Sequence, residues 1–311
     1  MDGSEPTVVR VICGPTASGK SALALACAAL GDVTIVSADS RQLYRGFDVG
    51  TAKPSAAERA AVPHLGLDLL DPIERASAAW WATSADGWLR DIQAQGRIPL
   101  VVGGTGLYLR ALFDDLFEEP DLDPVRRYAL QGELGLLDVA ALRQWVTRLD
   151  PARAHLGRTQ LMRAIEIALL TGQRISELHA RCRRPARWRA SYLVVDPGAP
   201  LADVIAARTR RMFNLGWAEE VRTLLRHVPA DAPAWNASGY GMVRAMVQGT
   251  IGREAAVEQI VIETRQYAKR QRTWFRHQVP AADVTRLDPS APRAADLLAA
   301  WFTDPAPRVA A

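Results

Sequence analysis

The stretch "VVRVICGPTASGKSALALA", residues 8–26, decides the fold. An apolar, β-branched run leads into Gly14-Pro15-Thr16-Ala17-Ser18-Gly19-Lys20-Ser21, and an alanine- and leucine-rich segment of helical composition follows. A Gly-x4-Gly-Lys-Ser loop between a strand and a helix turns its backbone N–H groups around a phosphate chain. Its lysine serves as a mobile cation and its serine hydroxyl, here Ser21, meets Mg2+. The loop recognises phosphate oxygens, so ATP, GTP or any diphosphate ester fits it. Which of them it holds has to be read from the rest of the chain.

Three further β-branched runs stand downstream: "VTIVSAD" (33–39), "IPLVVGG" (98–104) and "SYLVVD" (191–196). Near-continuous apolar runs suit parallel strands covered on both faces, and the helical spacing between them makes βαβ units the natural assembly. The expected fold is α/β: a P-loop parallel sheet core with a mostly helical insertion domain. The core takes residues 1–114 and 191–311, and the insertion takes 115–190. The insertion opens on the acidic "DDLFEEPDLD" and ends on the arginine-rich "HARCRRPARWR". After 197 the pattern is mostly helical to about 277, and the tail "TDPAPRVAA" reads as frayed. In such sheets ligands collect at the carboxyl ends of the strands, so Gly14, Asp39-Ser40, Gly103-Gly104-Thr105 and Asp196 are expected along one edge.

Composition narrows the class. With 49% hydrophobic and 23% charged residues over 311 positions, the chain reads as an ordinary globular protein. No apolar run reaches the ~18 residues of a membrane span, and the N-terminus lacks a basic start followed by an apolar core. A cytoplasmic protein with no membrane partner is the expectation, and a monomer. The three cysteines, Cys13, Cys27 and Cys182, have no metal-ligand spacing and read as buried small residues. Of 38 basic residues only Lys20, Lys53 and Lys269 are lysines. In an arginine-dominated chain these mark places where a compact ammonium is required.

Two regions concentrate cations. Residues 151–190 carry nine arginines against Glu166 and Glu177, which reads as an RNA-facing surface, with Leu161, Ile165 and Leu169 as the apolar stripe of the helix that bears Arg163 and Glu166. "ETRQYAKRQRTWFRH" (263–277) interleaves Tyr267, Trp274 and Phe275 with basic residues, a pattern that stacks bases and holds phosphates. At the end of the second run Asp39 is placed either to take a proton or to hold Mg2+ through water. Thr105 supplies a hydroxyl at a helix start.

Together "GPTASGKS", "ADSRQLYRGFDVGTAKP", "VPHLGLDLLDP", "GRIPLVVGGTGLYLRAL", "RAIEIALLTG", "ASGYG" and "TRQYAKRQRTWFR" resemble, in this order over about residues 8–277, the bacterial tRNA dimethylallyltransferase family. The resemblance implies transfer of a dimethylallyl group from dimethylallyl diphosphate to the exocyclic N6 amine of the adenosine 3′-adjacent to the anticodon, in a subset of tRNAs, with Mg2+ and release of diphosphate. It implies that residues 14–21 hold the donor diphosphate, that Asp39 takes the amine proton, that Thr105 hydrogen-bonds near the bridging oxygen, and that Arg208 neutralises the diphosphate. It also implies a path for the tRNA anticodon stem-loop. Asp39, Ser40, Arg41, Gln42, Thr105 and Arg127 line it, as do Gln160, Leu161, Met162, Arg163 and Ala164. Asn236, Ala237, Ser238, Gly239, Tyr240 and Gly241 continue it, and Lys269, Arg270, Gln271, Arg272, Thr273, Trp274, Phe275 and Arg276 complete it. The chain departs from the family pattern at Gln160 and Val204, where the family favours arginine. Two rival readings of the residues remain open at this level: a P-loop kinase with "RCRRPARWR" as its lid, and an RNA-binding switch governed by nucleotide occupancy.

Overall fold

The computed structural model describes residues 7–114, 120, 122–181, 187–280 and 284–304, with the side chain of Arg181 not included. Its sheet has six parallel strands in the order β3-β2-β4-β1-β5-β6. These are β1 (Thr7–Cys13), β2 (Val33–Ser37), β3 (His64–Leu65), β4 (Ile98–Gly103), β5 (Trp188–Val195) and β6 (Val284–Leu287). The four apolar runs of the sequence form the four central strands, and β2 is buried along its whole length. Strands covered on both faces have no solvent side, which is why they lack polar alternation.

The two edge strands were not legible. Residues His64–Leu65 follow a proline and are only two long, while "VTRL" at the far edge buries only Leu287. Neither has the length or continuous apolarity that signals a strand. β5 also begins at Trp188, three residues before the run that announces it, because Trp188 and Ala190 alternate with exposed or half-buried neighbours.

Helices α1 (Lys20–Ala26), α2 (Ala56–Ala61), α3 (Ala78–Ala94) and α4 (Gly106–Phe113) fill the connections of the first half. Helix α2 starts with a full capping box in which Ser55 and Glu58 satisfy each other's backbone N–H groups. One face of the sheet packs Ile12, Ile35, Leu100, Val102 and Leu193 around Ala24 and Cys27. Leu298, Trp301 and Phe302 of a C-terminal helix close that core. On α3 and α4, Trp81 and Tyr108 stack at 4.8 Å, and the Trp81 indole donates to the Ser37 carbonyl at the end of β2.

The chain divides into two compact units at Phe113/Asp114 and Ala186/Arg187. The smaller unit contains α5 (Pro124–Gly135), α6 (Val139–Leu149), α7 (Arg158–Thr171) and α8 (Ile175–Arg181) around a core of Leu134, Leu142, Val146, Leu161, Ala164, Ile165, Ile167 and Ile175. Leu161 and Ile165 are buried as their spacing predicts, but Leu169 is 41% exposed, since the inward face of α7 turns to Ile167 instead. The larger unit continues with α9 (Leu201–Asn214), α10 (Trp217–Leu224), α11 (Tyr240–Val247), the 26-residue α12 (Arg253–Gln278) and α13 (Ala294–Thr303). Helix α13 lies beyond the expected helical stretch, and its Trp301 and Phe302 are what give it a place on the sheet. Cys13 and Cys27 are buried free thiols. Cys182, most of the acidic opening of the insertion, Arg183 and Arg184 of "RCRRP" and the end of the C-terminal tail lie outside the described residues. Among the described residues no helix is long and apolar enough to cross a membrane.

Candidate active site

β1 lies between β4 and β5, with Cys13 in register with Gly103 on one side and Val194 on the other. The loop that leaves β1 therefore opens between the ends of two neighbouring strands, where parallel sheets collect ligands. Gly14 makes the first turn at φ 141°, and a Cβ there would fall 2.2 Å from the Val195 carbonyl oxygen, so only glycine passes. Ala17 follows in the left-handed region at φ 64° and Gly19 at φ 92°. Successive residues in such conformations turn their N–H groups into one concavity. Ser18 is 1% exposed and its hydroxyl has no hydrogen-bond partner among the described residues. A buried hydroxyl without a partner is costly unless a ligand oxygen meets it.

Two cations belong to this loop. Lys20 Nζ donates to the Pro15 carbonyl at 2.6 Å, and Arg208 Nη1, reaching from α9, donates to Thr16 Oγ1 at 3.0 Å. Burial and the neighbouring Arg208 lower the Lys20 ammonium to about 8, with Asp39 opposing the shift. Burial also lowers Arg208, again opposed by Asp39. A single carboxylate thus sits within the field of both cations.

That carboxylate follows β2. Asp39 Oδ1 accepts the Arg41 N–H at 2.8 Å. Thr105 Oγ1 accepts the Ser40 N–H at 3.1 Å, and the Thr105 N–H reaches the Ala38 carbonyl at 3.2 Å. Asp39 and Thr105 are thereby bound to the same short segment after β2. Asp196, at the end of β5, is occupied otherwise: Arg272 donates to its Oδ1 through both Nε and Nη2, and Nη2 also reaches the Gly198 carbonyl. Tyr267, on α12, belongs to the same neighbourhood, since burial and Asp39 push its hydroxyl up to about 12 while Arg41 opposes them.

The remaining residues divide sharply by exposure. On α12, Lys269, Arg270, Thr273 and Arg276 are exposed, and Gln266, Lys269, Arg270 and Thr273 line a shallow cavity of about 410 Å³. Trp274 is half-buried, its ring against Gly106. Gln271 and Phe275 are buried, and Arg272 is held by Asp196. In "NASGYG" (236–241), Asn236, Ser238 and Gly241 are exposed, whereas Ala237 and Tyr240 are buried. Tyr240 packs on Phe47 and Trp217 and donates to Glu220, whose other oxygen accepts the N–H groups of Asp48 and Val49. In α7, Leu161 and Ala164 are core residues, while Gln160 is exposed and Met162 half-buried. The buried side chains offer no surface to a partner. Gln42 instead ties its own segment together, accepting from Ser37 Oγ and donating to the carbonyls of Thr51 and Ala52. Lys53 does the same: its side chain is 1% exposed and its Nζ meets Asp48, Asp68 and the Tyr44 carbonyl.

Among the described residues of the smaller unit, several arginines are engaged within the unit itself. Arg127 and Arg163 both pair with Glu166, which is 4% exposed, at 3.2 and 2.8 Å, and Gln131 donates to its other oxygen. Arg158 and Arg174 donate to backbone carbonyls, and Arg153 to His179. Arg163→Ala should therefore cost about 1–3 kcal/mol of stability by leaving a buried carboxylate short of a partner. Adding Glu166→Gln should recover part of that in urea unfolding. Unchanged stability with weakened RNA binding would instead make Arg163 an RNA contact.

A family model described as IPP transferase matches residues 42–278. The tRNA dimethylallyltransferase of Anaeromyxobacter sp. (strain K) is 43% identical, over 89% of this chain and 94% of the relative. The crystal structure of the tRNA isopentenylpyrophosphate transferase from Bacillus halodurans covers 91% of this chain and 90% of its own, at 31% identity and a TM-score of 0.64. A eukaryotic dimethylallyltransferase acting on tRNA superposes with a TM-score of 0.76 at 25% identity, covering 90% of this chain and 73% of its own.

Proposed function

Because the chain belongs to the IPP transferase family of tRNA dimethylallyltransferases, we propose that it transfers a dimethylallyl group from dimethylallyl diphosphate to the exocyclic N6 amine of the adenosine 3′-adjacent to the anticodon in a subset of tRNAs. The observation that carries this reading is the shared field of Lys20, Arg208 and Asp39. Two cations meet the phosphate loop within the electrostatic reach of one carboxylate, and Thr105 binds the segment that carries it.

An adenine amine is a weak nucleophile because its lone pair is delocalised into the ring, so the carbon it attacks must be strongly activated. In the proposed reaction the N6–C bond forms as the allylic C–O bond breaks, and the electron pair leaves with the diphosphate. Lys20, Arg208 and the loop N–H groups from Ala17 to Ser21 hold the developing charge on that anion, in a site whose groups are already oriented. Asp39 takes the amine proton, and Thr105 lies near the bridging oxygen. The unpartnered Ser18 hydroxyl supports an anion in the loop.

Among the described residues no group of three His, Cys, Asp or Glu is placed to hold a metal. The exposed Ser21 hydroxyl fits Mg2+ of the kind that keeps one protein oxygen and takes most of its ligands from phosphate and water. Bound there, Mg2+ would offset charge on the departing diphosphate.

The adenosine has to leave the anticodon stack, at a cost of a few kcal/mol that phosphate and base contacts offset. The exposed Lys269, Arg270, Thr273 and Arg276 of α12 support such contacts, as do Ser40 and Arg41 beside Asp39 and the exposed Asn236 and Ser238. The helical insertion spans 114–186 rather than 115–190, because 187–190 belong to the unit that holds the sheet, and it is read as a second tRNA-binding element through exposed positions such as Gln160. The enzyme is read as a cytoplasmic monomer acting where tRNA is.

The deciding experiment is mass analysis of tRNA nucleosides after incubation with the donor. One N6-dimethylallyl adenosine per diphosphate released, with no ADP formed, is the expected result. Unmodified tRNA, or stoichiometric ADP in the presence of ATP, would overturn the reading.

A further inference from the structure

Gln271 stands in the middle of the basic segment of α12, yet the residue is only 7% exposed and its side chain reaches the loops after β1 and β4. Its Oε1 accepts the N–H of Thr16 at 2.7 Å, and its Nε2 donates to the carbonyl of Gly104 at 2.8 Å. One carboxamide thus bridges the phosphate loop and the loop after β4. The fit is close on the far side as well, since a Cβ on Gly104 would fall 2.5 Å from Nε2 and 3.2 Å from the Gly14 carbonyl oxygen. Thr16 is gripped a second time through its hydroxyl by Arg208. Ala17, the next residue, packs against Leu201, Ile205 and Ala268, so α9 and α12 hold the crest of the loop from outside.

The chemistry of the bridge is selective. It needs an acceptor for Thr16 and a donor for Gly104 on one uncharged planar group, which a carboxamide provides. A carboxylate would supply acceptors only and would bring negative charge to a phosphate site. An alkyl group would leave a backbone N–H and a carbonyl unpaired at a buried position. The bond also settles which way the Thr16 N–H points, and so how many loop amides face a diphosphate. One turn of the same helix presents Lys269, Arg270 and Thr273 to solvent.

Resting on the proposed reaction for the identity of the two substrates, we propose that Gln271 is a positioning residue that couples them. RNA seated on the outer face of α12 sets the phosphate loop for the donor diphosphate, and the donor in turn strengthens RNA binding, because coupling between two sites is reciprocal. The residue acts through Thr16 and Gly104 and touches neither substrate.

The test uses the full chain, with inorganic diphosphate as the loop ligand, measured by calorimetry with and without unmodified tRNA. Wild type should bind diphosphate about fivefold to 150-fold more tightly with tRNA present, the usual range of such coupling. Gln271→Leu and Gln271→Glu should weaken diphosphate by about tenfold, a loss typical of a buried bond left unmade. They should raise the donor KM, leave tRNA affinity measured without donor within about twofold, and erase most of the coupling. Gly104→Ala, which presses on the same amide, should reproduce this, and Gly104→Ala combined with Gln271→Ala should be no worse than either change alone. Folded variants with wild-type donor KM and coupling would overturn the proposal. So would a rise in the tRNA KM at constant donor KM, which would make Gln271 an RNA contact. A wild type that binds diphosphate with tRNA-dependent affinity but transfers no prenyl group would sink the reaction assigned above while supporting the coupling.

Discussion

Asp39→Asn lowers the single-turnover rate of prenyl transfer by about 10²–10⁴-fold, the usual worth of a general base, with tRNA affinity within a few-fold of wild type. The side chain keeps its volume, and Asn Oδ1 still accepts the Arg41 N–H that Asp39 accepts at 2.8 Å. The fold around the end of β2 is therefore preserved. The second carboxylate oxygen, which makes no hydrogen bond among the described residues, becomes an amide that has no lone pair for the amine proton. Donor affinity should change less than turnover, since the carboxylate lies near Lys20 and Arg208 and its charge works against an anion there while supporting the cations. A near-normal single-turnover rate with saturating donor and tRNA would remove Asp39 from the chemistry.

Lys20→Ala should cost about 10²–10³-fold in kcat, the scale found when one preorganised partner of a developing anion is removed. Lys20 also carries a pH signature that alanine lacks. In the free protein, burial and Arg208 bring its ammonium down to about 8, from 10.5 in water. A bound diphosphate favours the ammonium, so the complex keeps the proton to higher pH than the free protein does. Binding above about pH 8 therefore takes up a proton, and donor affinity falls as pH rises through that value, by at most about tenfold per unit. Calorimetry in buffers of different ionisation enthalpy should register the uptake at pH 9 and much less at pH 7. A donor affinity flat from pH 7 to 9.5 would show that Lys20 does not carry this proton, and the same flat profile is expected of Lys20→Ala. The free protein itself should gain stability over about pH 8 to 10.5, where the unfolded chain still holds the proton that burial disfavours.

What the sequence by itself determined is local in origin. The four central strands are legible because a strand buried on both faces must be apolar throughout, and the phosphate loop is legible because its geometry demands Gly14, Gly19 and Lys20 at set intervals. Asp39 and Thr105 could be placed at one edge because strand ends in a parallel sheet share an edge. Burial along α12 and α7 was not legible in the same way. "AKRQRTWFR" reads as one basic, aromatic surface, but only its tertiary setting sorts Lys269 and Arg270 to solvent, Arg272 to Asp196, and Gln271 to Thr16 and Gly104. A faint signal was present, since Ala268, Gln271 and Phe275 fall at helical spacing on one stripe. A polar residue inside such a stripe marks a bridge as readily as a surface. The arginines of α7 tell the same story from the other side. Net charge counts Arg163 as a free cation, and only the packing that buries Glu166 beside it decides that the two neutralise each other. Composition sums over residues, whereas burial depends on which residues meet, and partners such as Gln271 and Gly104 are 167 positions apart in the chain.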